Sequence, residues 1–283
     1  MRRELLLVWV PLAAVAVAIL VTYSRLAPAD LYHVSGSGFD AGLGRVLVFL
    51  SFPTALAAIA VLALVAERLG GRAIALAAVA GVALCAAVFV PGVVDQADLD
   101  AKWSNVPCAL GVAIAVALVL FAAGWLPHDA IGRLAADPVR IAVAAAAFAL
   151  SIPWIAAEVG FSFDAARVHH GHHHGMDGFL LVLTALLLSR VLPSVRRTWL
   201  RAVTGAYLAL MLVYGLGEIA NDFWLEQIVK RGWTDWEIPD ITRPSASAAW
   251  GIVVLASLVV FGVGAWRTGQ YEAASANPPA PAT

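Results

Sequence analysis

Charged side chains are scarce in this sequence, and their scarcity excludes a water-soluble globular domain. Asp, Glu, Lys and Arg make up 13% of the 283 residues and apolar residues 61%, whereas soluble domains have about 25% charged and roughly 45–50% apolar residues. The formal net charge is −1, so no basic surface of the kind that binds nucleic acid is expected. The partner that we predict is the lipid bilayer.

Cysteine is also scarce, since only Cys85 and Cys108 are present. Two cysteines do not make a disulfide framework. The apolar pattern places Cys85 near the middle of one span and Cys108 near the end of the next, so their depths should differ by roughly 10 Å at about 1.5 Å per residue. A disulfide needs Cα atoms within about 7 Å, and we therefore expect two free thiols.

Several motifs of familiar enzymes are missing. The sequence has no His-Glu-x-x-His helix, no phosphate-binding glycine loop and no Gly-x-Ser-x-Gly elbow. It also shows no strong internal repeat like those of many transporters, which lowers the expectation of a transporter without removing it. No motif therefore identifies a reaction or a transported substrate.

Long apolar runs are abundant, and they predict an all-α, polytopic transmembrane bundle. A helix needs about 20 residues to cross roughly 30 Å of hydrocarbon. We expect one transmembrane domain over residues 1–272 and a short disordered tail, rich in Ala and Pro, over 273–283. The eight predicted spans are Leu5–Tyr23, Val46–Val65, Ala73–Val94, Val106–Leu126, Ile141–Val159, Met176–Leu192, Trp199–Asp222 and Ala246–Trp266.

The distribution of basic residues predicts that both termini are cytoplasmic. With Met1 inside, eleven of the 18 Lys and Arg residues fall on the cytoplasmic side and seven on the other. A cleaved signal peptide is the alternative for the first span, but its apolar stretch exceeds the usual 7–15 residues. The excess of Arg over Lys suggests a G+C-rich genome, and we expect a multi-pass protein of the bacterial inner (plasma) membrane.

A histidine tract follows the fifth predicted span on the side opposite the termini. Neutral imidazole is a common ligand of zinc, copper, nickel and iron, and we predict a divalent transition metal here, zinc first. The alternative is a solvated loop that coordinates nothing. The predicted ligands in the tract are His169, His170, His172, His173 and His174.

A polar stripe ends the seventh predicted span on the same side. Tyr214, Glu218, Asp222 and Glu226 recur every four residues, which places them on one face of a helix. A carboxylate within the membrane usually faces a partner or a water-filled cavity. Glu218, the deepest of the three acids, is therefore expected to face the bundle interior, whereas Glu226 is expected to mark the point where the helix leaves the lipid.

Acids of neighbouring spans are predicted to join the histidines. Glu158 ends the fifth span, and Asp177 follows the tract directly. Consecutive helices usually pack together, so Asp177 and Asp222 are predicted as further metal ligands. Glu218 or Glu158 is predicted as a general base.

Three functions remain open at this point. The first is a metal-dependent membrane protein, such as an enzyme for a lipid or other interfacial substrate, in which a metal activates water. The second is a proton- or cation-coupled transporter that uses Glu218 and Asp222. The third is a non-catalytic membrane subunit or assembly factor whose loops bind a partner.

Overall fold

The structure is a computed structural model that describes residues 2–31, 34–90, 100–122, 131–161, 168, 170 and 173–276. These residues form helices and connections but no strand, apart from one isolated bridge between Leu31 and His170. The α-helices of the described chain are α1 (Arg2–Arg25), α2 (Gly38–Leu50), α3 (Pro53–Leu69), α4 (Arg72–Cys85), α5 (Val106–Ala122), α6 (Asp137–Glu158), α7 (His174–Ser189), α8 (Thr198–Asp222) and α9 (Ala248–Ala276).

The predicted all-α membrane fold is confirmed. Within the described residues, seven helices are long and apolar enough to cross a membrane, and the bent pair formed by α2 and α3 makes up to eight. Each of the eight predicted runs corresponds to one of these helices or to the bent pair. Residues 277–283 of the predicted tail lie outside the described residues, and α9 continues to Ala276.

The second predicted span lies within a bent pair of helices, α2 and α3. The axes of α2 and α3 differ by 46°, and Ser51 and Phe52 occupy the break. Pro53 begins α3, where its missing N–H would have no helical partner. The Ser51 hydroxyl donates to the carbonyl of Leu47 at 2.8 Å. The proline therefore divides one apolar run into two helices of different direction.

The helix α7 lies inside the bundle, which explains why its apolar run is short. Asp177 in its first turn is 2% exposed, and Arg190 follows its last residue. Arg190 forms an ion pair with Glu4 of α1 at 3.7 Å and another with Asp137 of α6. Protein partners therefore pair with the arginine at one end of this helix, and the acid at its other end is buried inside the bundle.

The two ends of the bundle differ in chemistry. At one end α1, α6 and α8 end and α7 begins, and we call it the histidine end. There the Thr22 hydroxyl donates to the Glu158 carbonyl at 2.8 Å, and the Gly175 amide donates to Asp222 at 2.6 Å. At the opposite end, which we call the arginine end, α1 and α6 begin and α7 ends beside Arg190.

A π-helical segment, Phe223–Val229, continues α8 beyond the predicted end of its span. Glu226 in this segment is 5% exposed, and its carboxylate accepts a hydrogen bond from the Trp154 indole at 2.7 Å. Glu226 is therefore a buried packing residue, and the expectation that it marks the point where the helix leaves the lipid stays a prediction. The wider helical turn carries its side chain inward, toward α6.

The helices α7 and α8 touch through their backbones at Gly178 and Gly215. A Cβ atom on Gly215 would lie 2.6 Å from the Gly178 carbonyl oxygen, and one on Gly178 would collide with the Gly215 carbonyl. Close approach of this kind is typical of small residues at helix crossings in membranes. The crossing places Asp177, next to Gly178, beside Glu218, one turn after Gly215.

Replacing Gly178 with alanine should destabilise the fold by about 1–3 kcal/mol, because the two backbones must separate. Gly251→Ala is the matched control, since a Cβ there meets no described atom within 4 Å. Unfolding in mixed micelles measures both variants. Equal stability of the two would mean that the α7–α8 contact is not tight.

Candidate functional site

The described candidate residues gather at the histidine end. His170, His173 and His174 precede or begin α7, and Glu158 ends α6. His169 and His172, two of the predicted metal ligands, lie outside the described residues. The remaining predicted residues, Asp177, Glu218 and Asp222, are all buried.

Glu158 is held against a buried arginine of α2. The Arg45 guanidinium lies 3.6 Å from the Glu158 carboxylate, and the side chains are 1% and 2% exposed. Tyr23 of α1 is also fully buried and interacts electrostatically with both. One ion pair thus joins α2 to α6 in the interior of the bundle.

Asp177 extends this cluster toward α8. Its carboxylate interacts electrostatically with Arg45. It also interacts with Glu158 and with Glu218. The first turn of α7 therefore connects the ion pair of α2 and α6 to the acidic stripe of α8.

Glu218 is the most deeply buried carboxyl group of the cluster, and Tyr214 and His174 lie nearest to it. It is 0% exposed, and neither oxygen has a hydrogen-bond partner among the residues that the structure describes. The hydroxyl group of Tyr214, one turn earlier, donates a hydrogen bond to the Thr242 carbonyl at 2.8 Å. The Nδ1 atom of His174 lies 3.5 Å from Oε1 of Glu218, slightly beyond a good hydrogen bond.

The charges of this cluster do not balance if every group is ionised. In the described part of the chain, the buried carboxyl groups of Glu158, Asp177 and Glu218 surround the buried guanidinium of Arg45, and the His174 imidazole lies beside two of them, Asp177 and Glu218. A buried charge is tolerated when it is paired, and an unpaired one costs several kcal/mol. The arrangement therefore favours a bound proton or another cation in the cluster.

Asp222 and Glu226 have partners that give them structural roles. Asp222 accepts the Gly175 amide hydrogen bond at the N-terminus of α7, where the helix dipole favours a negative charge. Glu226 binds the Trp154 indole at 2.7 Å and Lys230 at 3.3 Å. Each acid therefore stabilises the packing of α8 and its π-helical extension against α6 or α7.

The described histidines divide into two groups. His170 lies 3.1 Å from the Ala157 carbonyl through Nδ1, and the His173 ring lies 6.4 Å from the Trp154 ring. His173 is 2% exposed, so both residues pack against α6. The His174 side chain, by contrast, is 23% exposed, and it connects Glu218 to the surface.

A cleft of about 380 Å³ is lined by His174 and Asp222. One wall is the α8–α9 segment, residues 230–247, which folds back along α8. Asn221 donates to the Pro239 carbonyl at 3.2 Å, and Ile241 packs on Gly217. The polar residues that line the cleft are His174, Asn221, Asp222, Glu237, Asp240, Thr242 and Arg243.

The predicted metal site stays a prediction. No group of three or more His, Cys, Asp or Glu side chains within the described ranges is arranged to hold a metal ion. His174 and Asp222 do line the same cleft. The other candidate donors of the tract, His169 and His172, are not among the described residues.

Sequence reasoning missed the side chains that organise the site. Arg45 stands at the edge of an apolar run, where a basic residue ordinarily marks the membrane surface. Tyr23 and Trp154 lie within apolar runs, where a buried aromatic ring is common and does not indicate a functional role. The one available signal was the position of Arg45 so close to the second span, and it does not distinguish a buried arginine from an interfacial one.

The chain matches no protein-family model, no curated protein and no solved structure.

Proposed function

We propose that this protein is a proton-coupled membrane transporter in which Glu218 binds the proton and His174 exchanges it with the cleft. The observation that carries the proposal is the charge count of the buried cluster. Among the described residues, three carboxyl groups face one guanidinium and the His174 imidazole, so ionising all three would leave net negative charge buried in the cluster. A proton on Glu218 removes that charge.

The position of Glu218 suits a group that binds and releases a proton. Intramembrane acids in pumps and transporters face the bundle interior and commonly form proton relays. Glu218 faces the interior at the α7–α8 crossing, whereas Asp222 is occupied by the N-terminus of α7. The proton role therefore belongs to Glu218, and Asp222 positions the helix that carries His174.

His174 provides the exchange route. Imidazole accepts and donates protons near neutral pH, and His174 touches both the cleft and the neighbourhood of Glu218. A small rotation of either side chain would shorten the 3.5 Å separation to a hydrogen bond. The protein is proposed to lie in the bacterial inner membrane with the histidine end outside, as the basic residues favour.

Infrared spectroscopy of the protein in lipid bilayers tests the proposal without knowledge of the substrate. A protonated carboxyl group absorbs separately from a carboxylate. Glu218→Gln should remove one protonated-carboxyl component, and Glu237→Gln, which changes an exposed acid of the same cleft, should not. An unchanged spectrum in Glu218→Gln would mean that Glu218 is ionised and holds another cation, and the proposal would be wrong.

Transport itself is measured in proteoliposomes that enclose a pH indicator. Candidate solutes are added outside the proteoliposomes one at a time. A solute that the protein transports should cause proton movement with the wild-type protein and none with the Glu218→Gln variant. Proton movement of equal rate in both proteins would exclude Glu218 as the carrier.

A further inference from the structure

The two cysteines of the chain lie side by side. Sγ of Cys85 is 4.0 Å from the Cys108 carbonyl oxygen, and Sγ of Cys108 is 3.7 Å from the Cys85 carbonyl oxygen. Both residues are 0% exposed. The expectation that their depths differ by roughly 10 Å is therefore wrong, although both thiols are free in this structure.

The ends of α4 and α5 explain the contact. The helix α4 ends at Cys85 and is followed by a 3₁₀ turn, Ala86–Phe89. The next span begins with the 3₁₀ turn Trp103–Asn105, and Cys108 lies in the first turn of α5. Both cysteines therefore lie a few residues inside the same end of two antiparallel helices.

The backbones of α4 and α5 approach closely one turn away. A Cβ atom on Gly111 would lie 2.7 Å from the Gly81 carbonyl oxygen and 2.5 Å from Sγ of Cys85. Gly81 precedes Cys85 by four residues and Gly111 follows Cys108 by three, so each glycine shares a helix face with the cysteine of its own helix. Because the glycines and cysteines share these faces, the two backbones are also close together where the thiols lie.

We propose that Cys85 and Cys108 are a disulfide-forming pair that links α4 to α5. A disulfide requires Cα atoms about 4.4–6.8 Å apart. Here each sulfur already touches the backbone of the other cysteine across a glycine-lined crossing. The bond closes the connection between the two spans, residues 86–107, into a covalent loop.

The pair lies at the histidine end of the bundle. Ser35, between α1 and α2, donates through its amide to Asp100 at 3.0 Å, and Ser51 donates to the Asn105 carbonyl at 3.2 Å. The α4–α5 connection therefore contacts the α1–α2 connection and the bend between α2 and α3. If the histidine end faces outward, this is the oxidising side of a bacterial inner membrane, where disulfides persist.

The oxidation is a thiol–disulfide exchange with a protein disulfide donor of that compartment. The thiolate of one cysteine attacks the donor disulfide and forms a mixed disulfide, which releases one donor thiolate. The second cysteine then attacks the mixed disulfide, so that the Cys85–Cys108 bond forms and the second donor thiolate leaves. Two cysteine thiols are oxidised, one donor disulfide is reduced to two thiols, and both cysteine protons pass to water or to the donor thiolates. Because the thiols are buried after packing, the exchange takes place while α4 and α5 insert.

Mass spectrometry of the full-length, untagged protein tests the proposal. Cells are quenched with a maleimide before lysis, and the purified protein is then alkylated under denaturing conditions. Most wild-type molecules should be lighter by two hydrogen atoms and carry no adduct, and they should gain two adducts after reduction. Two adducts without reduction in most molecules would overturn the proposal.

Two variants serve as controls for the chemistry and the geometry. Cys108→Ala leaves one thiol and should gain one adduct without reduction, which shows that the reagent reaches Cys85 in denatured protein. Moving the cysteine by one position, with Cys108→Ala and Ala109→Cys, turns it by about 100° around α5. That protein should stay reduced, and a disulfide of equal yield there would mean that the folded geometry does not select the pair.

Discussion

Replacing Arg45 with glutamine should lower the free energy of unfolding by about 3–5 kcal/mol, because the substitution leaves buried carboxylates without their counter-ion. Arg45 is 1% exposed, and it lies 3.6 Å from Glu158 and interacts with Asp177. Burying an unpaired charge is among the few changes that cause losses of this size. Unfolding of the purified protein in mixed micelles measures the effect.

The double variant Arg45→Gln with Glu158→Gln separates the ion pair from simple packing. It removes one buried positive and one buried negative charge together, so it should recover a large part of the lost stability. Arg25→Gln is the matched control, since Arg25 is an exposed arginine at the same end of the bundle. A loss in Arg45→Gln no larger than that in Arg25→Gln would show that the guanidinium is not the counter-ion of the cluster.

The sequence predicts the spans well because their length follows directly from membrane thickness. A run of about 20 apolar residues has few alternatives to a membrane helix. The error about the cysteines arises at the ends of the runs, where apolar character continues after the helix has stopped. Cys85 stands in the middle of the apolar run Ala73–Val94 but at the last residue of α4.

The interior of the bundle is less predictable, because the sequence of one apolar run does not show which other helices pack against it. The interior placement of Glu218 is predictable, since a carboxylate deep in a span needs a polar environment. The partner Arg45 comes from a helix about 170 residues earlier in the chain, and only the three-dimensional packing of α2 reveals it. The π-helical turn that buries Glu226 likewise has no sequence signal, because it depends on the Trp154 indole of α6.

If Glu218 binds a proton as proposed, the cluster also links that proton to α2. The helix α2 contributes Arg45 to the same charges that surround Glu218, and α2 meets α3 at a 46° bend. When a carboxyl group of the cluster gains a proton, its attraction to the guanidinium disappears. Under the proposed function, protonation would weaken the attraction of Arg45 in α2 to carboxyl groups of α6 and α7, which is the kind of linkage that coupled transport requires.

The strongest kinetic effect is expected at His174. In His174→Gln, exchange of the Glu218 carboxyl proton for deuterium should slow by about 100-fold, because a positioned acid–base group typically accelerates proton transfer by about 10²–10⁴. Glutamine keeps the side chain long enough to fill its place beside the cleft, so water does not simply replace the imidazole. The shift of the protonated-carboxyl band after a change to deuterium oxide, followed by infrared spectroscopy in lipid bilayers, measures the rate.

His173→Gln is the matched control from the adjacent position. The His173 ring packs near Trp154, and its Nδ1 lies 3.6 Å from the Glu226 carboxylate, so its loss should lower stability by about 1–3 kcal/mol. The exchange rate at Glu218 should stay near that of the wild type, because His173 does not line the cleft while His174 does. Slowing of equal size in the two variants would indicate that the whole N-terminus of α7, and not the His174 imidazole, controls access to Glu218. An unchanged rate in His174→Gln would assign proton exchange to a route that avoids the cleft.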